Sequence, residues 1–109
     1  VAKGGMLAVA GQVGFDAAGK VVGPGLAEQT RQALRNVGAV LEAGGSSYAD
    51  VLMMRIYLTD TAHFAEMNKL YDEWFEEHGG TVPPPARTTV YVGLPAGLLV
   101  EVDALAVTG

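Results

Sequence analysis

Two stretches of helical period lie between stretches of strand character, and this most limits the fold. From Leu26, the residues Leu26, Thr30, Ala33, Leu34, Val37, Val40 and Leu41 recur on one helical face. Glu28, Arg31, Gln32, Arg35 and Asn36 occupy much of the other face. Gly23-Pro24-Gly25 breaks the chain beforehand, and Gly44-Gly45 ends the helix because glycine tolerates the left-handed conformation of a helix terminus. The second stretch follows Asp60-Thr61, which supplies capping chemistry, and Gly79-Gly80 stops it. Phe64, Met67, Tyr71, Trp74, Phe75 and His78 form its buried stripe, with Trp74 a core residue, while Glu66, Asp72, Glu73, Glu76 and Glu77 form a solvated acidic face.

Strands fill the intervals. Met6–Ala10 is a short apolar run ending at Gly11-Gln12, and Val13–Val22 folds around Asp16–Gly19 as a hairpin-like turn. Val51–Leu58 carries only Arg55 as a charge and is expected to be covered on much of both faces. Pro83-Pro84-Pro85 imposes an extended segment. Arg87–Val92, a turn at Gly93–Gly97 and Leu98–Val107 then close the chain as a hairpin. The order ββαβαββ gives an α+β fold: one mixed sheet with both helices on one face. No element remains for the other face, so another copy of the chain is the expected cover. Composition agrees. Charged residues are 17% against a typical ~25%. A small domain has much surface to cover, and so few charges point to an obligate homo-oligomer.

The 109 residues fit one domain, 1–109. The absence of Cys removes disulfides, thiolate metal sites and a Cys nucleophile, and two His are too few for a His-rich metal site. A net charge of −5 without a basic run argues against nucleic-acid binding. No apolar stretch approaches the ~18 residues of a membrane span. A signal-peptide pattern is also lacking, and the expected location is cytoplasmic. No Gly-x-Gly-x-x-Gly, P-loop or Gly-x-Ser-x-Gly motif occurs.

Two charges interrupt apolar strands. Arg87 opens Ala86–Val92, and Glu101 shares one face of the last strand with Leu99, Asp103 and Leu105, opposite Val100, Val102, Ala104 and Ala106. In a closing hairpin Arg87 and Glu101 approach on one sheet face. They read either as a salt bridge or as a site in which the guanidinium fork takes a carboxylate and Glu101 activates water. Asn68, beside the Met67–Tyr71 stripe, is a solvated helix residue or a site residue. Gly11 marks a bulge or turn, or a place where a ligand approaches the backbone. Arg55 is expected to pair with an acid or to snorkel outward. His63 is expected at the surface.

The run Pro85-Ala86-Arg87-Thr88-Thr89-Val90, then Leu94-Pro95 and Val100-Glu101-Val102-Asp103-Ala104, closely resembles the signature of the RidA/YjgF family of reactive-intermediate deaminases. Gly11-Gln12, Gln29-x-x-x-Ala33-Leu34-x-Asn36, Tyr57-Leu58-Thr59-Asp60 and Asn68-x-x-Tyr71-x-x-x-Phe75 agree in order, so the resemblance spans nearly the whole chain. It implies a chorismate-mutase-like fold, a homotrimer with an intersubunit cleft, and cofactor-free, metal-free hydrolysis of 2-imino acids or their enamine tautomers to 2-oxo acids and ammonia. By the same resemblance Arg87 holds the substrate carboxylate, Glu101 serves the hydrolytic water, and Asn68, Gly11, Ala10 and Thr89 line the cleft. Thr89 stands where many members have Cys, and Ala10 where many have Ser; a cleft Tyr common in the family falls ahead of Val1. Alternatives are a related activity on another small imine or enamine carboxylate, of aminomuconate or aminoacrylate type, or a non-catalytic trimer that binds small carboxylates.

Overall fold

Both helices form where the apolar period places them. The computed structural model describes residues 1–80 and 83–108. In chain order these form β1 (Ala2–Lys3), β2 (Met6–Val13), α1 (Leu26–Ala43), β3 (Val51–Leu58), α2 (Phe64–His78), β4 (Ala86–Tyr91) and β5 (Val100–Val107). Helix α1 starts with the Glu28 carboxylate accepting the Gly25 N–H at 2.9 Å. It ends where Gly45 turns to φ +79° and the Ser46 N–H reaches the Leu41 carbonyl at 2.8 Å. Asp60 accepts the Ala62 N–H at 2.9 Å, capping a 3-10 turn at Thr61–His63 that leads into α2.

The strands form one mixed sheet in the order β1-β2-β5-β3-β4, parallel only between β3 and β4. Both helices cover one face. Leu7, Val9, Met54, Ile56, Leu58, Val100, Val102, Ala104 and Ala106 are buried there, against Leu34, Val37 and Leu41 of α1 and Met67, Tyr71 and Phe75 of α2. Fully burying a Val, Leu, Ile, Met or Phe side chain is worth ~1.5–3 kcal/mol. Strand β5 alternates as expected, with Glu101, Asp103 and Leu105 on the face away from the helices. Beside them on that face stand Met53, Arg55 and Tyr57 of β3, so within one chain β3 is covered on one face only.

Several local assignments differ from the sequence reading. The first strand pair is β1 with β2, joined by Gly4-Gly5 at φ +56° and +79°, a two-residue turn open to glycine. The hairpin-like turn around Asp16–Gly19 forms as expected, but beyond Val13, which ends β2, it is closed by the single bridge Phe15–Val21 and not by a strand pair. In α2, Phe64 and His78 are exposed, and Trp74 sits half-buried at the core's edge with the His78 ring stacked 3.9 Å away. His63 is half-buried.

The larger correction concerns the end of the chain. β4 and β5 form no hairpin: β4 pairs in parallel with β3, and β5 lies on the far side of β3. The cause is α2. A helix between two neighbouring strands makes a crossover, which returns the chain in the same direction. The segment from Gly93 to Gly97 then passes over the end of β3, where the Val92 N–H bonds to the Leu58 carbonyl and the Thr59 N–H to that of Leu99.

Candidate functional site

The pairing of β4 decides where Arg87 points. Its register partner is Met54, which faces the helices, whereas the partner of Glu101 is Tyr57, which faces away from them. Arg87 and Glu101 are therefore on opposite faces of the sheet with β3 between them. They do not approach within one chain, and neither a shared site nor an Arg87–Glu101 salt bridge forms there.

Around Arg87 the neighbours are aromatic. Its guanidinium carbon lies 4.7 Å from the centre of the Tyr71 ring and 5.9 Å from that of Phe64. No carboxylate among the described residues pairs with it; the one ion pair there is Arg55–Asp103. Asn68 stands on α2 between Phe64 and Tyr71, one turn from each, and is half-buried. Thr89, two residues along β4 from Arg87 and on the same face, has a buried hydroxyl without a hydrogen-bond partner among the described residues, as does Tyr71. Burial pushes the Tyr71 phenol up to about 12, against the opposing pull of the Arg87 cation.

Glu101 belongs to a second group. Strand β2 bulges between Val9 and Gln12, so that Ala10 and Gly11 together oppose Asp103. The Glu101 carboxylate lies against Gly11 so closely that a Cβ there would sit 2.7 Å from its Oε2. The glycine thus lets the Glu101 carboxylate rest directly against the strand backbone, and the bulge reading of Gly11 holds. Beside Glu101, Asp103 accepts from Arg55 Nε at 2.8 Å and from the Tyr57 hydroxyl at 2.7 Å. Arg55 has the acidic partner expected for it. The hydrogen bond to Asp103 holds the Tyr57 phenol above its ordinary range.

The proposed site residues therefore fall into two sets: Arg87, Thr89 and Asn68 on the helix side, and Glu101, Gly11 and Ala10 on the open side. Sequence reasoning missed Tyr71 and Phe64 as neighbours of Arg87, because aromatic residues at helical spacing read first as core. It placed Gln29 in the family pattern but gave it no role; the side chain is fully buried, and its amide donates to the Gly23 and Gly97 carbonyls at 2.8 and 2.9 Å and accepts from the Leu99 N–H at 2.9 Å. This side chain ties α1 to the loop that leads into the Glu101 strand.

Comparison with known proteins gives the family. The Endoribonuclease L-PSP family model matches residues 1–108. A RutC family protein of Pyrococcus horikoshii is 42% identical over 105 residues, covering 94% of this chain and 79% of that protein. The 2-iminobutanoate/2-iminopropanoate deaminase of Rattus norvegicus is 36% identical over 102 residues, covering 93% and 72%. Among solved structures, E. coli TdcF with bound serine superposes with a TM-score of 0.91 at 32% identity, covering 100% of this chain and 85% of that one. The agreement in sequence signature, fold and relatives makes this chain a member of the RidA/YjgF family.

Proposed function

We propose that this protein is a hydrolytic deaminase that converts 2-imino acids, such as 2-iminopropanoate and 2-iminobutanoate, into 2-oxo acids and ammonia. The supporting observation is the state of Arg87: a half-buried guanidinium held by aromatic rings, with no carboxylate partner among the described residues. Its fork of N–H donors suits the carboxylate that every 2-imino acid carries. A relative solved with bound serine and relatives named as imine deaminases support the same ligand class.

Because Arg87 and Glu101 lie on opposite faces of one sheet, the reading requires a second copy. Copies of the chain meet through the open sheet face, as a trimer, and Arg87 of one shares a cleft with Glu101 of its neighbour. Arg87 fixes the α-carboxylate, with Asn68 and Thr89 beside it. Glu101 draws a proton from a water that attacks the C=N carbon. That proton is delivered to the imine nitrogen to give the carbinolamine, and the carbinolamine hydroxyl proton then passes through Glu101 to the same nitrogen as the C–N bond breaks, so imine and water become oxo acid and ammonia. Holding the electrophile beside the water removes the entropic cost of their encounter. Ala10 and the backbone at Gly11 form the wall next to Glu101.

The test generates the imine in place, from serine or threonine with a dehydratase, and follows 2-oxo acid formation. Acceleration by the parent protein and its loss in Arg87→Ala are expected. An Arg87→Ala variant that keeps its assembly and matches the parent rate overturns the proposal. Carboxylate binding without turnover would instead indicate a binding protein, and comparing the two imines sets the preferred side chain.

A further inference from the structure

We infer that Tyr71 is a positioning residue for the carboxylate site, its ring face holding the Arg87 guanidinium without using the donors that substrate needs. The inference rests on Arg87 being the carboxylate-binding group. An arginine that binds an anion must be kept in place, yet a carboxylate partner would occupy the same N–H fork and compete with the ligand. An aromatic face avoids this conflict, since it attracts the cation from above its plane and leaves the in-plane donors open. The distances around Arg87 suit such a platform. The guanidinium carbon is 4.7 Å from the Tyr71 ring centre, well inside the ~6 Å range of such contacts, while Phe64 at 5.9 Å is at its limit.

Tyr71 is also built to stay where it is. It is only 5% exposed, and its ring packs on Phe75 at 4.8 Å between centres. Removal from water strengthens the attraction between ring and cation. The Tyr71 hydroxyl forms no hydrogen bond among the described residues, so the ring, rather than the hydroxyl, is the part that acts on Arg87. Thr89, on the same strand face, offers a second unpartnered hydroxyl next to this platform.

The experiment measures binding of 2-oxobutanoate, a stable carboxylate, by calorimetry, alongside KM and kcat for the dehydratase-generated imine. The variants are Tyr71→Phe, the same position carrying phenylalanines with one, two and three ring fluorines, and Tyr71→Leu. Fluorination drains the ring face of negative charge at nearly constant shape, which preserves folding. Tyr71→Phe should bind within about 2-fold of the parent, and affinity should fall stepwise with each fluorine. The total loss expected is roughly 5- to 30-fold, carried in KM more than in kcat. Flat affinity along the fluorinated series overturns the inference, as does an equal loss in Tyr71→Phe and Tyr71→Leu, which would place the effect in the hydroxyl. Arg87→Ala serves as the reference: if it binds 2-oxobutanoate as the parent does, the assignment of Arg87 itself fails, a result distinct from failure of the Tyr71 platform.

Discussion

Gly11→Ala separates the position of Glu101 from the stability of the fold. The new Cβ would lie 2.7 Å from Glu101 Oε2, 2.8 Å from Cδ and 3.2 Å from Cγ. Ordinary carbon contacts are about 3.5–4.0 Å, so the carboxylate must retreat by roughly 1 Å. It can do so cheaply, because the clashing atoms are the far end of a flexible side chain and Gly11 does not use a positive φ. The substitution also restricts the unfolded chain, which favours the folded state by up to ~1 kcal/mol. Thermal stability should therefore change by less than about 1 kcal/mol in either direction. Catalysis should not be spared, since a misplacement of about 1 Å can cost ~100-fold in rate. The dehydratase-coupled assay should show kcat down by roughly 10- to 100-fold, with 2-oxobutanoate affinity nearly unchanged because Arg87 belongs to the other set. A Gly11→Ala protein that folds and assembles normally and turns over at the parent rate refutes the reasoning, because Glu101 would then have moved without consequence.

Other substitutions test the remaining links. Glu101→Gln should preserve folding and carboxylate binding while slowing turnover by about 10²–10⁴, the usual worth of general acid–base catalysis; unchanged turnover with a lower melting temperature would mark Glu101 as a structural partner instead. Arg87→Ala should weaken carboxylate binding by roughly 30-fold to several-thousand-fold, and Arg87→Lys should recover only part of it, because lysine keeps the charge without the fork; full recovery by lysine in a titration with 2-oxobutanoate counts against fork recognition. Gln29→Ala strands two carbonyls and an N–H that the buried amide now satisfies, at about 2–4 kcal/mol, measurable as a lower midpoint in urea at fixed protein concentration. Tyr71 is neutral in the fold up to about 12 but ionises near 10 when unfolded, so its contribution is complete below pH 10 and is lost as pH rises toward 12; stability that stays level across this window, after correction for the other tyrosines, contradicts its burial. Light scattering at micromolar concentration should report a trimer, and a stable monomer would remove the neighbour that supplies Glu101 to Arg87.

Periodicity alone determined much of this molecule. The α1 stripe from Leu26 to Leu41, the glycine stops at Gly44 and Gly79, and the alternation of Val100, Val102, Ala104 and Ala106 against Glu101 and Asp103 follow from which side chains leave water. That information is local, since a helix repeats every 3.6 residues and a strand every two. The two helices on one sheet face follow as well, because no other face of the sheet has a partner in the chain. What periodicity does not contain is the pairing of strands. Arg87–Val92 and Leu98–Val107 are adjacent in sequence with a turn between them, yet the crossover through α2 seats β4 beside β3 and leaves β5 on its other side. A strand's own residues specify which face is apolar, but its neighbour is set by the packing of the whole layer and by the direction in which the intervening helix returns the chain. On that choice depends whether Arg87 meets Glu101 in its own chain or turns to the faces of Tyr71 and Phe64. Sequence marked Arg87, Glu101 and Gly11 as candidates, and the tertiary structure decided which of them stand together: Glu101 against Gly11, and Arg87 on the opposite side of the sheet.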